Sequence, residues 1–257
     1  MLSRLRAAHA KRLRDRGDAG MTLAELAVSM GLATVVGAMT LVVFLSANTT
    51  VRNTDDQLIG TANARNILQS WRGLIQVADA PQPTGNCPTG STAHRFEWLT
   101  TTETLFYAGV NNRSSDDACT PPQLIWLAVR DGRLLEARYT ITPPATTYVQ
   151  TVCRTLSSST QAKVSAGTLF APNPGEILYS VDYGQSFAAT GPFSSAVSCA
   201  TAPTSLTPAS VTNTDTNANN ALAQVTSVGI DFTVTNSAGT HSQTYDATVA
   251  IYGGSGA

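Results

Sequence analysis

Residues 26–47, LAVSMGLATVVGAMTLVVFLSA, form a run of 22 positions without a single charged side chain. As a helix rising about 1.5 Å per residue it extends roughly 33 Å, enough to cross the ~30 Å hydrocarbon core of a bilayer. The flanks orient the span. Six Lys/Arg residues precede it (Arg4, Arg6, Lys11, Arg12, Arg14, Arg16), whereas Arg52 on the far side is followed by Asp55 and Asp56. By the positive-inside rule the N-terminus is expected in the cytoplasm and everything after about residue 48 outside it.

The net charge of −1 conceals this asymmetry. Removing residues 1–20 leaves ten basic and fifteen acidic residues, a side-chain balance of about −5. An acidic body without a basic stripe does not favour binding to a nucleic-acid backbone, and no nucleic-acid partner is expected.

The apolar run is too long for the ~7–15-residue core of a secretory signal, and no turn follows Ser46-Ala47-Asn48. Instead apolar residues recur at helical spacing in Val51, Leu58, Ala62, Leu68, Trp71, Ile75 and Ala78, with Arg65, Asn66, Gln69 and Arg72 on the other side. The pattern predicts one helix from Met21 to Asp79, ended by Pro81 and Pro83.

Beyond Gly85 the signals are those of strands. Asp131-Gly132 divides residues 124–141 into a hairpin, and Asn236-Ser237-Ala238-Gly239 divides the alternating runs Val228–Val234 and Tyr245–Ile251 into another. Each of these strands is expected to have one apolar and one wet face, as in an antiparallel sheet with one side against a helix. Residues 94–110 and 147–153 add strands, while the Ser/Thr/Ala/Asn-rich stretches 155–168 and 200–224 read as long loops. The expected class is therefore α+β: a long N-terminal helix, membrane-spanning then amphipathic, packed on an antiparallel β-sheet domain.

Cys87, Cys119, Cys153 and Cys199 are widely spaced, form no CxxC and have no nearby His, which disfavours zinc. In an exported domain they are candidates for two disulfides with three possible connectivities, of which the sequential Cys87–Cys119 and Cys153–Cys199 is the expectation here. His9, His94 and His241 are scattered, and Gly184-Gln185-Ser186-Phe187 lacks the second glycine of a nucleophile elbow. Asp215-Thr216-Asn217-Ala218-Asn219 lacks the Gly and Glu of a calcium loop and reads as a solvated polar loop. Trp71, Trp98 and Trp126 occupy apolar positions and read as core. No catalytic residue, metal or cofactor is expected.

The segment Gly20-Met21-Thr22-Leu23-Ala24-Glu25, followed by the uncharged span, resembles the cleavage and methylation signal of type IV prepilins and type II secretion pseudopilins. There a basic leader ends in Gly, an apolar residue follows (usually Phe, here Met), and Glu stands fifth in the mature chain. The resemblance covers residues 1–80; in outline the later strands are similar to J-type minor pseudopilins and W-type minor pilins. It implies a leader over 1–20, a membrane or filament-core helix over 21–48, its amphipathic continuation over 49–80 and a pilin-like β domain over 81–257. It further implies cleavage between Gly20 and Met21 by a prepilin peptidase, N-methylation of Met21, and a non-catalytic minor subunit priming a cell-surface filament at its tip. The implied partners are other pilin subunits, the peptidase, an inner-membrane assembly platform and the membrane.

A carboxylate one turn into an apolar span is costly, up to ~2.5–3.5 kcal/mol at the centre of a helix and less near its ends, so Glu25 needs a partner. The α-amine of a newly formed N-terminus at Met21 is the nearest cation, and in the family such a pair between neighbouring subunits sets their axial register. The bland alternative is an interfacial glutamate whose head reaches the lipid headgroups. Gly31 and Gly37 read as positions of close helix packing. A different class of protein would use the same helix only as a single-pass anchor for an adhesin or binding domain that never polymerises.

Overall fold

The computed structural model describes residues 22–78, 95–108, 123–141, 147–155, 162–175, 183–236, 239 and 241–251. The chain divides between Arg52 and Asn53 into two compact units. Helix α1, Leu23–Gln76, contributes its first part to one and its last part to the other. A long N-terminal helix joined to an antiparallel β domain is the α+β class expected from the sequence.

In the first unit every described residue of α1 is exposed. Most of its serine and threonine hydroxyls are nonetheless satisfied by the helix's own carbonyls. Ser29 donates to Leu26, Thr34 to Gly31 and Thr40 to Val36, at 2.9, 2.7 and 2.7 Å. A helix surrounded by hydrocarbon requires this, because lipid offers those groups no partner.

In the second unit two antiparallel sheets share the core. The larger has the order β1-β2-β3-β4-β5-β8, from Phe96–Leu99, Glu103–Ala108, Gln123–Arg130, Arg133–Thr140, Tyr148–Thr155 and Ser205–Leu206. The smaller has the order β10-β9-β6, from Ser242–Ala250, Ser227–Asn236 and Ala162–Ser165, with β7 (Phe170–Pro172) also paired to β9. Ala64, Ile67, Trp71 and Ile75, spaced three or four residues apart, turn one stripe of α1 into the hydrophobic cluster that both sheets line. Val51, Leu58 and Ala62, expected on that stripe, are exposed instead. Gly60 occupies the contact, where an added Cβ would lie 3.8 Å from Val234. Small residues such as Gly60 and Ala64 carry little hydropathy, so their place on the packed stripe is a weak signal in sequence.

The strands of both hairpins pair as read, with Ser237 and Ala238 of the second turn outside the described residues. In β3–β4 the turn residues Asp131 and Gly132 have φ of 53° and 68°, the left-handed pair that a two-residue hairpin demands. The alternation of wet and buried residues holds for β10 but not for β1–β4, which are buried almost throughout. The cause is a cover on the far face of the large sheet. Phe193, Ala196, Ala202, Leu206 and Val211 pack there on Trp98, Trp126 and Tyr139 in a second hydrophobic cluster. All three tryptophans are fully buried.

The two stretches read as loops hold regular structure. Residues 155–168 contain β6, whose pairing with β9 supplies the backbone bonds that its polar composition conceals. Residues 200–224 contain β8 and two short helices, α3 (Pro208–Val211) and α4 (Thr216–Ala223); α2 (Gln185–Thr190) lies before them. Asp215, read as part of a solvated loop, caps α4 by accepting hydrogen bonds from the amides of Asn217 and Ala218 at 2.8 and 3.1 Å. Ala218 and Leu222 bury the inner side of that helix. Gly184 enters α2 at φ 83°, where a Cβ would come within 2.8 Å of both Asn213 and Trp98.

Candidate functional site: the start of the apolar helix

Thr22 stands at the cap of α1 and Glu25 one turn in. The amide of Glu25 donates to the Thr22 hydroxyl oxygen at 3.2 Å, and a Glu25 carboxylate oxygen accepts from the Thr22 amide at 3.0 Å. The Thr22 hydroxyl lies 3.0 Å from the same carboxylate oxygen. This is a capping box: two amides that the first helical turn leaves without intrahelical partners are satisfied reciprocally. The T-x-x-E spacing that signals it is present in Thr22-Leu23-Ala24-Glu25, so the structure adds to Glu25 a local role that the resemblance did not supply. A carboxylate there also faces the positive end of the helix dipole.

Past Glu25 the helix presents Leu26, Val28, Leu32, Val36, Met39, Val43 and Phe44 on all sides, each about half exposed or more. By length and composition α1 is the one helix among the described residues able to cross a membrane. Gly31 and Gly37 leave open space where a side chain would stand. Gly20 and Met21 lie outside the described residues.

Of the four cysteines, Cys153 on β5 and Cys199 form a disulfide, with Cα atoms 5.6 Å apart. It ties β5 of the large sheet to the segment that covers that sheet's far face. Cys87 and Cys119 lie outside the described residues. No three His, Cys, Asp or Glu side chains among the described residues stand close enough to hold a metal ion.

The β domain holds three buried carboxylates that sequence reading passed over. Glu136 accepts from Arg138 Nε at 2.7 Å and from an Arg154 guanidinium nitrogen at 2.9 Å, both on one oxygen, and its other oxygen accepts from the Trp71 indole at 3.2 Å. Glu103 pairs with Arg130 at 2.9 Å and accepts from the Trp126 indole, also at 2.9 Å. Burial nevertheless raises the Glu103 carboxyl above its ordinary range, opposed by Trp126 and Arg130. Glu97 accepts from the Asn213 amide at 2.7 Å and adjoins the buried phenol of Tyr107, whose pKa is pushed far up by burial and then by Glu97. The signal for Glu136 was available in sequence: Arg138 lies two residues further along the same strand, on the same face.

The fold and site thus define a class of protein, an α+β domain carried on a helix whose first part is apolar on every side. No protein-family model, no curated protein and no solved structure matches the chain.

Proposed function

We propose that the protein is a non-catalytic subunit of a type IV pilus or type II secretion-like filament, a minor one placed at or near the tip. In this reading a prepilin peptidase cuts between Gly20 and Met21, the new amine of Met21 is methylated, and subunits are drawn from the membrane by an assembly platform. The observation that carries it is the apolar, all-round exposed helix with Glu25 as the sole charged residue between Met21 and Val51. Such a surface requires either lipid or the like helices of other subunits around it. Six basic residues before Gly20 support an N-terminus held in the cytoplasm, with the β domain outside.

The capping box favours one competing reading, in which the helix is only an anchor for a binding domain. Thr22 already gives Glu25 two hydrogen bonds, so no second subunit is needed to explain the residue. Two measurements separate the readings. Intact mass and N-terminal sequencing of the native protein are expected to show a start at methylated Met21; an uncleaved leader, or a start near residue 48, would sink the filament reading. Glu25→Gln retains a hydrogen-bond acceptor for Thr22 but not the charge. It is expected to abolish filament incorporation, whereas an anchor would tolerate it.

A further inference from the structure

Among the described residues two patches, one on each sheet of the β domain, keep a net charge of opposite sign. On the large sheet Glu136 and Arg154 are cross-strand partners, as are Arg138 and Val152. The Glu136 side chain is fully buried, while those of Arg138 and Arg154 are 25% and 44% exposed. Both guanidiniums share one carboxylate oxygen, so the cluster keeps a net charge of +1, with further guanidinium N–H groups available at the surface. Val149 and Val152 are 50% and 38% exposed on the same strand. On the small sheet Asp231 and Asp246 stand directly opposite each other in the β9–β10 pair, both exposed.

Like charges directly opposite across a strand pair destabilise it. Among the described residues neither carboxylate of the Asp231–Asp246 pair has an ion-pair partner. Lys163 stands opposite Thr235, four residues along β9 from Asp231, which at about 3.3 Å per residue is roughly 13 Å away. That exceeds the screening length of about 8 Å at physiological salt. A second anion on the outer side of Arg138 and Arg154 would offset their mutual repulsion, and a pair of cations would do the same for the aspartates. The same chain carries both.

We propose that the Arg138–Arg154 patch of one copy docks on the Asp231–Asp246 patch of the next. A pair joined by one such contact keeps one patch of each kind free, so the proposed contact is head-to-tail and open-ended, in contrast to a dimer closed by making it twice. It rests on the filament reading for its biological setting but departs from the minor, tip-placed role, because an open-ended contact between like copies implies a repeating subunit. Its readout uses neither the Gly20–Met21 bond nor Glu25, so an uncleaved chain would end that reading and leave this contact to be judged on its own.

The test is sedimentation of the full chain in detergent micelles over a range of protein concentrations. Species beyond a dimer are expected to grow with concentration at about 10 mM salt and to recede at about 150 mM, as the screening length falls from about 30 to about 8 Å. The double variant D231N/D246N is expected to weaken association by roughly tenfold or more while holding or raising the melting temperature, since it relieves a like-charge pair. Arg154→Gln is expected to weaken association in the same direction, with circular dichroism confirming the fold. A monomer at every concentration, a closed dimer, or association indifferent to D231N/D246N overturns the proposal. So does association that requires added calcium, which would assign the aspartates to a cation.

Discussion

Glu136 places a carboxylate in the interior of a sheet with two guanidiniums and an indole N–H gathered on it. A buried carboxylate is tolerable only when hydrogen-bonded throughout, and the group that completes its set, Trp71, comes from α1. One residue thus joins the helix to β4 and β5. The phenols of Tyr139 and Tyr148 set a different limit. Burial pushes both up to about 12, although Gln150 opposes the shift at Tyr139 and Tyr107 does so at Tyr148. Unfolded phenols ionise near pH 10, whereas these hold their protons until about 12. Their contribution to stability is therefore complete below pH ~10 and lost as the pH climbs through about 12. Urea melts between about pH 8 and 12.5 are expected to show stability falling across that window. Tyr139→Phe, which also gives up the 2.8 Å bond to the Pro203 carbonyl, is expected to lower stability at pH 8 and to flatten the decline.

Among the elements, the cover over the far face of the large sheet depends most on long-range contacts. Phe193 stacks on Trp126 with ring centroids 4.7 Å apart and meets Trp98 and Tyr139 edge-on. The Cys153–Cys199 bond closes a loop across 46 residues and holds this cover to β5. Cys199→Ser is expected to cost about 2–4 kcal/mol in denaturant titrations, by releasing the unfolded chain from that closure. A non-reducing peptide map is expected to return the 153–199 pair and, since those two are taken, Cys87 joined to Cys119. The hairpins were legible in the sequence because a turn's left-handed residues and the alternation on either side are local facts. The cover was not. Its apolar residues are few and scattered among small and polar ones, and only the apolar far face of β1–β4 gives Phe193 a reason to be where it is.

At the scale of the whole molecule, the division after Arg52 separates a helix without packing partners in its own unit from a unit with a complete core. A fragment beginning at Asn53 is expected to remain soluble without detergent and to unfold in one cooperative transition by near-ultraviolet circular dichroism, whereas the full chain is expected to need detergent or lipid. Aggregation of the fragment, or a broad non-cooperative melt, would count against the division. The sequence by itself determined the apolar span, the long helix that continues it, the two hairpins and the burial of the three tryptophans. Each of these is written in neighbouring residues or in a period of two or 3.6. The tertiary structure alone decided that Gly60 and Ala64, in place of Val51, Leu58 and Ala62, continue the packed stripe of α1, and that Arg154 and Trp71 join Arg138 on Glu136. It also decided that polar stretches become β6 and α4. Those facts join residues far apart in the chain, and burial and backbone pairing across such distances leave no periodic mark in the order of amino acids.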